Sequence, residues 1–196
     1  NQGRSCAMYV RTMRRVSRTR IASAVRSVRP EGRYALLARA CDERMMAGVA
    51  AAPPDAPVLL AIDQEGGRVQ RLRAPWTEWP PMRVLGERDD PSTTAAVAAA
   101  LARELSDLGI GLDFAPVVDV DTNPKNPVIG DRSFAREPAR VARHAAAFIT
   151  AMQAAGVAAC AKHFPGHGDT LTDSHLERHK KSHLLFPHLE YVLLFF

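Results

Sequence analysis

No run of 18 apolar residues occurs in this 196-residue chain, so no membrane-spanning helix is expected. Cysteine is scarce: Cys6, Cys41 and Cys160 form an odd, widely separated set. That fits reduced thiols in a cytoplasmic protein better than a disulfide framework. Internal repeats are absent, and the first residues lack the apolar core of a secretory signal peptide. Acidic residues are nearly missing from residues 1–33, which hold nine arginines and one acid, Glu31. The whole chain is +5, so the remaining residues sum to −3 and the basic character belongs to one end. Such a leader could bind nucleic acid or an anionic surface, or act as a transit peptide. Its composition fits a disordered or non-native leader better, and no nucleic-acid partner is expected.

What remains is an ordinary globular composition, 46% hydrophobic and 24% charged, with the length of one domain. Residues 34–51 read as a helix, ended by the prolines at 53, 54 and 57. Val58–Ile62 is a short apolar run typical of a fully buried parallel strand. Residues 75–91 read as loop. Ser92 or Thr93 is the expected N-cap of an alanine- and leucine-rich helix through Leu108, with Gly109 at its end. Leu112–Val120 reads as a second strand, with Pro116 at an irregular end. Pro138 starts a helix that runs to about Ala155, Gly156 closes it, and Val157–Lys162 is a third strand. Strand, helix, strand, helix, strand predicts an α/β fold with a parallel sheet, and polar residues cluster just beyond each strand's C-terminal end. Both barrels and open sheets place their sites there.

Three clusters could carry chemistry. After the first strand, Asp63-Gln64-Glu65-Gly66-Gly67-Arg68 leads to Arg71. A carboxylate there can accept hydrogen bonds from adjacent hydroxyls, the glycines permit a tight turn, and Arg68 or Arg71 can bind a carboxylate or position an acidic neighbour. The glycine spacing is not that of a P-loop. Next come Asp119, Asp121, Asp131 and Arg132, where Arg132 is either a binding cation or half of a structural ion pair. Finally, residues 162–175 gather Lys162, His163, His167, Asp169, Asp173 and His175 into 14 positions. His163 and His167 are four apart, but Pro165, Gly166 and Gly168 argue against a helical metal site. A loop could still gather His163, His167, Asp169 and His175 around zinc, as in a metal-dependent hydrolase. Alternatively, Asp173 and His175 form a proton-transfer pair, since a carboxylate beside an imidazole fixes its orientation and tautomer.

Three segments together resemble the glycoside hydrolase family 3 β-N-acetylhexosaminidases: 61–72 (AIDQEGGRVQRL), 114–120 (FAPVVDV) with 129–134 (IGDRSF), and 162–170 (KHFPGHGDT) with Asp173-Ser174-His175. The resemblance runs from about residue 55 to residue 177. It implies part of a (β/α)8 TIM-type barrel, roughly its N-terminal half. The implied activity is retaining hydrolysis of terminal β-linked N-acetylglucosamine, commonly from peptidoglycan-derived muropeptides in cell-wall recycling. It implies no cofactor and no metal, a saccharide or muropeptide as partner, and a cytoplasmic monomer. In the implied double displacement, His175 is the acid/base with Asp173 as its partner, and a carboxylate on a later strand is the nucleophile. Asp63, Arg71, Arg132, Lys162 and His163 match the positions that hold the N-acetylglucosamine unit.

The ends depart from the family pattern. Residues 1–45 are arginine-rich where the family has a glycine-rich apolar strand, and residues 178–196 form an atypical apolar tail. Residues 46–177 are the expected partial barrel. Unrelated ends on a genuine middle are what a frameshifted gene or a misassembled gene model would produce. No nucleophile is assigned, turnover by this chain is not expected, and a non-catalytic N-acetylglucosamine-binding remnant is the alternative. A half-barrel is also expected to expose strand edges.

Overall fold

The computed structural model describes residues 9–12, 58–164, 166–170 and 191–193. The helix expected over 34–51, the boundaries at 45 and 177, Asp173 and His175 lie outside the described residues. So do most of the leader and most of the tail.

Five strands form one sheet: β1 (Tyr9–Thr12), β2 (Val58–Ile62), β3 (Leu112–Asp113), β4 (Ala158–Lys162) and β5 (Tyr191–Leu193), in that spatial order. The central three are parallel, with Ala61 opposite Leu112 and Leu112 opposite Ala158. The expected exposed edges are not those of β2 and β4, because β1 pairs antiparallel with β2 and β5 antiparallel with β4. Those pairings satisfy N–H and C=O groups that an open edge would leave to solvent.

The second strand is much shorter than the expected Leu112–Val120. Regular strand geometry is confined to Leu112–Asp113; beyond it Phe114 N donates to Ile62 O, the carbonyls of Ala115 and Pro116 accept from Cys160 N and Lys162 N, and a single bridge joins Val117 to Lys162, while Pro116 itself has no amide to donate. Val118 N still donates to Lys162 O at 2.7 Å, which keeps the segment beside β4. The loop-rich stretch 75–91 also contains a helix, α1 (Met82–Arg88), whose Met82 and Leu85 are buried. It ends at Asp89, a non-glycine residue at φ 51° whose N–H bonds Gly86 O.

Helix α2 (Pro91–Asp107) begins two or three residues earlier than expected. Its N-cap is Asp90, not Ser92 or Thr93: the carboxylate accepts from Ser92 N at 2.9 Å and from both neighbouring hydroxyls. Asp outcompetes a hydroxyl because it offers two oxygens and a negative charge to the helix N-terminus. Helix α3 (Pro138–Ala154) starts at Pro138 as the sequence predicts.

Thr94, Ala98, Leu101, Ala102 and Leu105 form the buried stripe of α2, and Val141, Ala145, Phe148, Ile149 and Met152 that of α3. Both spacings are helical. The stripes pack together and onto the sheet face carrying Leu60, Ile62, Ala159 and Ala161. The other face carries Ala61, Leu112 and Cys160. Burial pushes the Cys160 thiol up to about 11, so it behaves as a small apolar side chain. His144 is the polar exception in the α3 stripe: its Nε2 faces Asp89 at 3.3 Å, its Nδ1 faces Thr94 Oγ1 at 2.7 Å, and its ring stacks on Phe134. Asp89 can only accept, so Nε2 carries a hydrogen, and the Thr94 hydroxyl, which can donate or accept, satisfies Nδ1.

Candidate active site

The site lies at the C-terminal ends of the parallel strands. Gln64 shapes the first loop. Its side-chain oxygen accepts from Arg71 N at 2.7 Å and Leu72 N at 2.9 Å, its Nε2 donates to Leu72 O, and its own N–H donates to Asp113. The chain therefore leaves β2, turns and comes back, which puts Arg71 beside Asp63. Gly66 and Gly67 make the turn at φ 101° and 56°, and a Cβ on Gly66 would strike Pro80 O.

Asp63 and Glu65 are two residues apart where the chain leaves the strand, and both carboxylates reach Lys162 at the end of β4. Glu65 is also held by Arg132 in a bidentate pair, Nε–Oε2 and Nη2–Oε1 both at 2.8 Å. Arg71 approaches Asp63 at 3.4 Å. Glu65 and Lys162 are each only 1% exposed, so their charges depend on each other. Burial alone would raise the Glu65 carboxyl, but the Arg132 hydrogen bond and the Lys162 charge outweigh it and hold it down to about 2. Burial would likewise depress Lys162, and the charges of Glu65 and Asp63 push it up instead. Arg132 is raised in the same way by Glu65 against its own burial. Asp113, fully buried beneath this group, is pushed well above the carboxylate range by burial.

Arg132 extends the chain of contacts. Its Nη2 also meets His163 Nε2 at 3.3 Å and its Nη1 donates to Val128 O. On the far side of the ring, His163 Nδ1 meets Asp119 Oδ2 at 2.6 Å. The same carboxylate accepts from the backbone N–H groups of His163 and His167. Asn126 secures the loop from the other side, donating to His167 O and Thr170 Oγ1 while accepting from Val128 N and Ile129 N. Gly168 packs so closely that a Cβ would overlap Val120 O. A cavity of about 560 Å³ opens over this region, lined by Val118, Asp119, Lys162, His163, Phe164 and Asp169 among others.

Asp63, Arg71, Arg132, Lys162 and His163, all named from the sequence, thus meet in one continuous network. Asp173 and His175 lie outside the described residues. Arg132 forms its ion pair with Glu65, not with its neighbour Asp131, which pairs with Arg68 at 3.0 Å. Asp121 turns away to Arg83 and Arg136. Among the described residues, no group of three or more His, Cys, Asp or Glu side chains is placed to hold a metal ion. Two residues central to the geometry were given no specific role from the sequence: Glu65 and Asp119. The period-two spacing of Asp63 and Glu65 was a usable signal for the first, since alternate residues leaving a strand share a face. Asp119 stood among four candidates that the sequence could not separate.

The positive groups Arg71, Lys162 and Arg132 are matched by Asp63, Glu65 and Asp119. Such a site has little net charge to attract an anion but many directional donors and acceptors. It suits a neutral, hydroxyl-rich ligand.

Residues 19–185 match the profile of the family described as the glycosyl hydrolase family 3 N-terminal domain. A β-hexosaminidase of Nitrosomonas eutropha is 46% identical over 127 residues, which cover 62% of this chain and 36% of that protein. Among solved structures, a GH3-family glycosyl hydrolase from Mycobacterium smegmatis aligns with TM-score 0.61 at 39% identity, over 68% of this chain and 40% of that one. NagZ from Neisseria gonorrhoeae, in complex with N-trifluoroacetyl-D-glucosamine, aligns with TM-score 0.59 at 44% identity, over 62% of this chain and 38% of that one. The chain therefore spans about two fifths of the length of these relatives.

Proposed function

This chain belongs to glycosyl hydrolase family 3, and from that membership we propose that it carries the N-acetylhexosamine-binding part of a retaining β-N-acetylhexosaminidase. The carrying observation is the charge-balanced chain of contacts Asp63, Lys162, Glu65, Arg132, His163, Asp119. It holds polar groups rigidly at the strand ends while leaving Asp63 with 20% of its side chain accessible. Asp63 would accept from two adjacent sugar hydroxyls. Arg71, Arg132 and Lys162 would donate to hydroxyl and acetamido oxygens, and His163 would complete the pocket. In this reading β2, β3 and β4 are consecutive strands of a partial (β/α)8 barrel within residues 46–177. Their parallel register and the position of the cluster at their C-terminal ends support it.

For the chemistry, the Asp173–His175 pair would act as acid and then base. His175 would protonate the leaving oxygen as a carboxylate attacks the anomeric carbon, then take a proton from the water that releases the sugar. The nucleophilic carboxylate is not assigned. The substrate class would be β-linked N-acetylglucosaminides, with muropeptides of a cytoplasmic cell-wall recycling route as the favoured members.

A second reading, binding without hydrolysis, rests on the same assembled sugar-holding residues. Titration calorimetry of the 196-residue chain with N-acetylglucosamine decides the common premise. Saturable binding is expected, weakened at least about tenfold in Asp63→Ala, the loss of one charge-assisted contact. Heat that does not saturate, or affinity indifferent to Asp63, would remove the carbohydrate reading. A chromogenic β-N-acetylglucosaminide assayed alongside separates turnover from binding alone.

A further inference from the structure

We propose that Asp119 is a positioning residue: it locks the His163 ring in its Nδ1–H tautomer so that Nε2 accepts from Arg132 and helps fix the guanidinium that a ligand would meet. The inference rests on the carbohydrate reading above for the identity of the ligand, but not for the state of the ring.

The argument follows from what each neighbour can do. An ionised carboxylate only accepts, so the 2.6 Å contact from Asp119 Oδ2 requires a hydrogen on Nδ1. A guanidinium only donates, so the 3.3 Å approach of Arg132 Nη2 requires a lone pair on Nε2. Only the neutral Nδ1–H ring satisfies both. Arg132 is itself anchored by two 2.8 Å bonds to Glu65, so it cannot swing aside to suit another tautomer. Asp119 is 4% exposed and also takes the His163 and His167 amides, which fixes the carboxylate and the backbone that carries the ring.

The Arg132 contact uses the single lone pair of Nε2, so the ring becomes part of the framework that holds the Arg132 guanidinium beside Glu65. The neighbouring Asp121 is equally buried at 4% exposure but spends its carboxylate on Arg83 and Arg136, so burial in this loop does not by itself confer the role.

Long-range proton–nitrogen correlation NMR on the full 196-residue chain reads the tautomer directly, with the His163 signals identified by their loss in His163→Gln. The wild type is expected to show a protonated Nδ1 and an unprotonated Nε2. Asp119→Asn is expected to depopulate that tautomer, because one amide cannot accept on both sides, and to weaken N-acetylglucosamine binding about tenfold. Asp121→Asn is expected to change neither readout. A wild-type ring protonated at Nε2, an unaltered ring in Asp119→Asn, or the same losses in Asp121→Asn would overturn the proposal. If Asp119→Asn does not fold, the wild-type spectrum still decides. The expected tautomer in a chain that binds no N-acetylglucosamine would uphold the positioning role and overturn the carbohydrate reading instead.

Discussion

Glu65 shows how one residue sets the character of the site. Its carboxylate lies between Lys162 and Arg132, and removing its charge leaves two buried cations sharing one weakened partner. Glu65→Gln is expected to lower stability by about 2–4 kcal/mol at neutral pH, measured by urea denaturation, as for other broken buried pairs. The pH dependence has a definite sign. The folded-state carboxyl is near 2 against an ordinary 4.5, so its contribution is present above pH 4.5 and lost as pH falls toward 2. At about 1.4 kcal/mol for each unit, that loss is about 3 kcal/mol, and the acid limb of the stability curve should flatten in Glu65→Gln. An unchanged acid limb in that variant would show that other carboxylates dominate.

At the scale of elements, α2 and α3 were legible in the sequence, whereas α1 lies in a stretch read as loop and β3 was legible only in part. Pro138 and the apolar spacing of 141–152 place α3 within a residue, because helix start signals and periodicity are local. The N-cap of α2 moved from Ser92 or Thr93 to Asp90, a competition among three adjacent cap-forming residues that only the backbone geometry decides. Asp90→Ala is expected to lower the thermal midpoint by a few degrees, followed by circular dichroism, because Ser92 N and the Thr93 hydroxyl lose their acceptor. Thr93→Ala should cost less; the reverse order would return the cap to Thr93. The β3 segment was over-extended in the sequence reading because its apolar residues continue past Pro116, whereas regular strand geometry ends at Asp113 and only a bridge at Val117 follows.

At the scale of the whole molecule, stability depends on the contact between α2, α3 and one face of the sheet. Phe148 is fully buried in that layer with Leu101, Leu105 and Met152. Phe148→Ala is expected to cost about 3–5 kcal/mol, read from the denaturant midpoint with an unchanged slope. A loss below about 1 kcal/mol would mean that the layer collapses around the gap. The site stands at the strand ends above this layer, so such a loss should weaken ligand binding only by unfolding the chain.

The sequence alone determined the alternation of strands and helices and the parallel sheet, through patterns confined to a few neighbouring positions, and its family resemblance pointed to the five residues that the fold brings into one network. Helical spacing, a buried five-residue run and a proline-glycine loop each act over such distances. Only the tertiary structure decided which acid meets which base. Arg132 chooses Glu65, 67 positions away, over its neighbour Asp131, and Asp119 chooses His163, 44 positions away. Those pairings depend on where folding brings chain segments together and on which carboxylates are removed from water. Adjacency in sequence carries neither piece of information, so Glu65 and Asp119 emerged only with the fold.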